Sequence, residues 1–144
     1  MTIENWIKKL VTVLEGVTGI EQVHTYDDVP GTILAFPTAI VMPVRGTQSY
    51  SAAGPGLAIH RVTITMYFAG GVLPEAMGKA VPFIGTVRAA IAANVTLSGS
   101  VAYCLPPDDG PFYEGPGGLR YGDKEMTGLV FHLVVKEVET ITVS

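Results

Sequence analysis

A single cysteine, Cys104, excludes a disulfide within this chain, so the fold has to hold by burial. Charge is scarce as well. Asp, Glu, Lys and Arg make up 15% of the residues, against roughly 25% in an average soluble domain. The basic residues gather no further than the pair Lys8-Lys9, and the net charge is −4 with an isoelectric point near 5.2. Affinity for duplex nucleic acid comes from neutralising phosphates, so a DNA-gripping surface is not expected. No apolar run reaches the roughly 18 residues of a membrane-spanning helix. The stretch Met1–Trp6 lacks a basic segment followed by an apolar core. No secretory signal is read there, and assembly in a reducing cytoplasm is expected.

Catalytic signatures are also missing. Gly117 and Gly122 have the glycine spacing of a phosphate-binding loop, but Asp123 stands where lysine belongs and no Ser or Thr follows in place. An aspartate there would repel the phosphate. His24, His60 and His132 are scattered, and His60 and His132 fall inside apolar strand patterns. They read as core or interface histidines rather than metal ligands. The pairs Asp27-Asp28 and Asp108-Asp109 suit turns, where aspartate bonds its own backbone. Cys104 lies between Tyr103 and Leu105 with no activating base evident, and reads as a small buried hydrophobe. Neither an enzyme nor a cofactor is expected.

Apolar side chains are abundant. They make up 48% of the chain, and the mean hydropathy is +0.39. With so little charge, extended protein contacts are expected. The run Thr127–Val138 sharpens this expectation. One face reads Leu129, Phe131, Leu133, Val135; the other reads Val130, His132, Val134, then Lys136 and Val138. A strand with one wet face would alternate apolar and polar residues. This one has two faces to bury. Val130, Val134 and Val138 are therefore assigned to a subunit interface, with cover by the chain's own long loops as the alternative.

Along the chain, Ile3, Trp6, Ile7, Leu10 and Leu14 predict a helix over Ile3–Leu14, with Thr2 able to cap it and Gly16 able to end it. Glu21–Tyr26 suits a short strand. Thr38–Val44, between Pro37 and near Pro43, suits an edge or bulged strand. Arg45–Gly56 has the composition of a mobile hairpin loop. Leu57–Phe68 alternates, with His60, Val62, Ile64, Met66 and Phe68 on one face. Pro74–Val81 suits a turn or short helix, and Pro82 the first position of a second helix carrying Phe83, Val87, Ala90 and Ile91. Val101–Leu105 is a short strand and Pro106–Gly118 a long loop. Both Gly/Pro loops are expected to touch partners, through Arg45, Gln48 and Tyr50 in the first and Phe112 and Tyr113 in the second. The whole reads as a single α+β domain over residues 1–144. Its sheet should be mostly antiparallel, with both helices packed on one face.

The order of these segments resembles the tail terminator (tail completion) proteins of long-tailed bacteriophages. The resemblance rests on the first helix, on Pro37-Thr-Ala-Ile-Val-Met-Pro43, and on Ile59-His-Arg-Val-Thr-Ile-Thr-Met-Tyr67. It continues through Val87-Arg-Ala-Ala-Ile91, the Gly/Pro loop and Leu129-Val-Phe-His-Leu-Val-Val135. It spans nearly the whole chain but contains no diagnostic short motif. It implies a virion subunit, made in the host cytoplasm, that forms a hexameric ring with itself. That ring would sit on the tail-tube protein, stop tube growth and meet a head-completion or neck protein. DNA would pass through its lumen without specific binding, and the family has no catalytic residues to carry over. Head-closure and other neck proteins of similar length also make rings. A small-ligand or enzymatic α+β domain and a monomeric adaptor are the remaining alternatives.

Overall fold

The computed structural model describes residues 3–49 and 56–139. Helix α1 (Ile3–Glu15) forms where the apolar spacing predicts it. Trp6, Ile7, Leu10 and Leu14 are buried, while Ile3 at its start is exposed. The helix stops at Gly16, whose N–H donates to the Thr12 carbonyl at 3.2 Å. Strands β1 (Gln22–Thr25), β2 (Thr38–Ser49) and β3 (Gly56–Gly70) follow, then helix α2 (Pro74–Ala92) and strands β4 (Tyr103–Leu105), β5 (Tyr113–Tyr121) and β6 (Lys124–Glu139).

The six strands make one curled sheet in the order β1-β2-β3-β6-β4, with β5 also on β6. Only β1 and β2 run parallel; the other pairings are antiparallel. β6 pairs with β3 from Glu139 opposite Gly56 to Met126 opposite Gly70. Its other edge is shared. β5 lies against the first half, and β4 lies against Val134–Lys136. Both helices pack on one face of this sheet. There Trp6, Leu10 and Leu14 of α1 and Ala80, Val87 and Ile91 of α2 join Val41, Val62, Ile64, Met66, Leu129, Phe131, Leu133 and Val135 in one core. The domain is α+β with a mostly antiparallel sheet. Among the described residues no helix is long and apolar enough to cross a membrane.

Three segments depart from expectation. β2 runs on to Ser49, so Arg45 and Gln48 are strand residues, not loop residues. β1 is the edge strand, so of the two forms expected for Thr38–Val44 the structure has the bulged one, with the irregularity between Pro43 and Arg45. The polar stretch after Pro43 has no apolar period of its own, and backbone pairing to β3 makes it a strand. Second, α2 is one helix of 19 residues, with Pro74 rather than Pro82 in its first turn. Pro82 forfeits one backbone hydrogen bond inside the helix. The helix continues because Ala76 and Ala80 before it and Val87 and Ile91 after it dock on the same core. Third, the latter part of Pro106–Gly118 belongs to β5, with a register shift between Glu114 and Gly117 that accommodates Gly115-Pro116. Tyr50 and the side chains of Gln48 and Val138 lie outside the described residues.

A smaller cluster closes one end of the opposite, outer face. Ile33, Ile40, Tyr67 and Met126 are buried there with Phe36, Leu119 and Tyr121 against them. The Tyr121 hydroxyl donates to the Pro30 carbonyl, tying the loop after β1 to this end of the sheet. Gly128 sits at the centre of the β3–β6–β5 crossing. A Cβ there would meet Leu119 Cδ1 at 2.4 Å and the Met66 carbonyl oxygen at 2.9 Å. The leucine tip can turn aside, but the backbone oxygen cannot. Gly128→Ala should lower stability by ~1–3 kcal/mol, read as a lower urea midpoint. An unchanged midpoint would show that the strands are not so close.

Candidate assembly surface

The outer face beyond the Tyr67–Tyr121 end mixes partly covered apolar side chains with polar ones. Met42 is 36% exposed, Val44 61%, Ile59 37% and Leu105 38%, with Val130 and Val134 half-buried among them. Strand geometry puts them on one face, with Val134 and Leu105 as direct neighbours. Val130 stands opposite Thr65 and Glu114, and Val134 opposite Arg61 and Leu105. Two of the three residues assigned to an interface thus lie on the face that the period requires.

The chain covers part of this face with its own loop before β5. Pro107, Gly110 and Pro111 line a recess of about 150 Å³ with Val44, Arg61, Thr63, His132 and Leu133. The loop is held by Asp109, whose two carboxylate oxygens each lie 2.8 Å from Arg61 Nη2. This hydrogen bonding, together with the arginine charge, keeps the Asp109 carboxyl below the usual carboxylate range. The contact therefore favours the fold above the unfolded pKa and loses its effect as pH falls through the lowered one. Its exposed position keeps the contribution small.

Phe112, expected at a partner surface, instead turns inward onto Phe131 with ring centroids 5.3 Å apart. A side chain that large, next to a gap over the core, gains more from burial than from exposure. Tyr113 does stay exposed. His132 Nε2 meets Glu114 Oε2 at 2.7 Å across the β5–β6 ladder, and Lys136 Nζ lies 5.8 Å from the centre of the Tyr103 ring.

A second polar contact was missed from the sequence. Glu137 is only 3% exposed on the helix side of β6, and His60 Nε2 lies 3.0 Å from its Oε2. The Trp6 ring stands 5.3 Å from the His60 ring, centre to centre. The signal was present. Extending the face Leu129, Phe131, Leu133, Val135 by one more step reaches Glu137. His24 lies 3.7 Å from Asp28, so each of the three histidines faces a carboxylate. Among the described residues no three His, Cys, Asp or Glu side chains converge as a metal site. Asp27 and Asp28 both accept hydrogen bonds from Thr25, as turn aspartates do.

Cys104 is fully buried in β4, and desolvation pushes its thiol up to about 12. The native protein should therefore resist an alkylating reagent at pH 8 that labels the urea-unfolded chain at once, with mass spectrometry as the readout. Rapid labelling without denaturant would mean that β4 opens. No protein-family model matches the chain, and no curated protein is similar to it in sequence.

Proposed function

We propose that this chain is a structural virion subunit that caps a phage tail tube as a homohexameric ring and forms the joint to the head-completion or neck protein. The observation that carries this reading is the outer sheet face. Met42, Val44, Ile59 and Leu105, with Val130 and Val134, put apolar side chains on this face that one chain covers only in part, interspersed with Thr63, Arg61, His132 and Lys136. Surfaces of this kind mark protein contacts. The segment order that resembles the tail terminators supports the choice among ring proteins.

The test is assembly. Light scattering on the purified protein, alone and mixed with polymerising tail-tube protein, should give a ring mass or shortened, capped tubes. Val134→Lys should weaken self-association by ~100-fold or more, because burying an unpaired ammonium costs several kcal/mol. A monomer at every concentration that also leaves tube length unchanged would overturn the reading. Capture of a neck protein without any effect on tubes would favour a head-closure ring.

A further inference from the structure

The bulge in β2 sets Arg45 directly opposite Arg61 on the outer face. Like charges facing each other across two strands repel. Together with Gly46, Thr47, Ile59 and Asp109 they line a concavity of about 510 Å³. Asp109 engages Arg61, but among the described residues Arg45 has no carboxylate partner. Lys136 stands on the same face, opposite Ile59. Three of the nine Lys and Arg residues thus stand on this part of the sheet with Asp109, leaving six basic residues to offset twelve Asp and Glu. The rest of the molecule is strongly acidic.

We infer that this concavity receives an acidic side chain from a second copy of the chain, which pairs with Arg45 and competes with Asp109 for Arg61. The inference rests on the homo-oligomer reading. It names the polar contact that orients the apolar face. Head-to-tail closure of a ring joins two different surfaces, and a basic hollow on an otherwise acidic molecule selects a copy's acidic side over its own outer face. Arg61 already demonstrates the contact with Asp109, an exposed aspartate at 2.8 Å. A duplex is a poor occupant. Asp109 lines the hollow itself, and a polyanion needs more cations than these three.

Charge reversal tests this. Arg45→Glu should weaken self-association about 10-fold or more at low salt, with much less difference from wild type at high salt. Arg45→Gln should fall between them, and circular dichroism checks that each variant folds. Asp109→Ala should strengthen association, because it removes the competitor; a purely structural contact would give the opposite sign. In the Arg45→Lys variant, a zero-length carbodiimide should join position 45 to an Asp or Glu of another copy, identified by peptide mapping. If the wild type assembles and Arg45→Glu assembles equally well at low salt, the hollow is not the contact and the ring reading stands. If the wild type never assembles and leaves tubes unchanged, both fall. Duplex DNA retained at low salt by the wild type and released by Arg45→Glu would make this a phosphate site instead and overturn the inference.

Discussion

His60→Ala should destabilise the protein by ~3–5 kcal/mol, a large part of the ~5–15 kcal/mol that holds a domain folded. Glu137 is buried on the core side of β6, and His60 is the partner within 3.0 Å of its carboxyl. Removing the imidazole leaves that carboxyl buried without it, and also removes the ring beside Trp6. Glu137→Gln should cost less, since an amide can still bond the ring. The informative variant is the double replacement His60→Leu with Glu137→Leu. A packed apolar pair in place of a buried polar one is often neutral or stabilising. The double variant should thus recover most of the loss, measured by urea unfolding. A His60→Ala midpoint within experimental error of wild type would show that the pair does not secure this end of the sheet.

Phe131→Ala should cost a similar ~3–5 kcal/mol for a different reason. Phe131 is fully buried, opposite Ile64 on β3, with Phe112 against its ring. The lost volume lies in the core between β3 and β6, beside Ile64 and Phe112. Phe131→Leu should recover much of it. The cavity should also free Phe112, so the loop through Pro107 and Pro111 should exchange its amide hydrogens faster in the alanine variant. Stability near wild type would mean that the core repacks around the gap.

The contrast between these two sites bears on what the sequence could disclose. Phe131 lies on an apolar face of β6, and β3 alternates and α1 repeats at helical spacing as regularly; these patterns are strong because each element must bury one whole face. β5 was hidden because Tyr113-Glu-Gly-Pro-Gly-Gly has no alternation. It is a strand because β6 offers an open edge, a reason that lies elsewhere in the chain. Pro82 misled for a related reason, since packing on both sides of it outweighs one missing hydrogen bond. The Arg45 site needed register. Counting by twos from buried Val41 places Arg45 towards the helices. The one-residue bulge after Pro43 turns it outward beside Arg61. Phe112 had no period to follow, and only the space beside Phe131 shows where it goes.

The position of β6 in the chain has a consequence for synthesis. It follows every other described element, yet it joins β3 along one edge and carries both β4 and β5 on the other. Until Glu139 has left the ribosome, the nascent chain can hold only β1, β2 and β3 as a sheet, with one edge of β3 bare. Val62, Ile64 and Met66 then lack the neighbours Leu133, Phe131 and Leu129 that complete their face. An unpaired apolar edge is a site for wrong association, and closing it requires contacts distant in sequence. Folding of the sheet therefore waits until β6 emerges, and crowded polysomes producing many copies at once are where this chain is most exposed to misassembly.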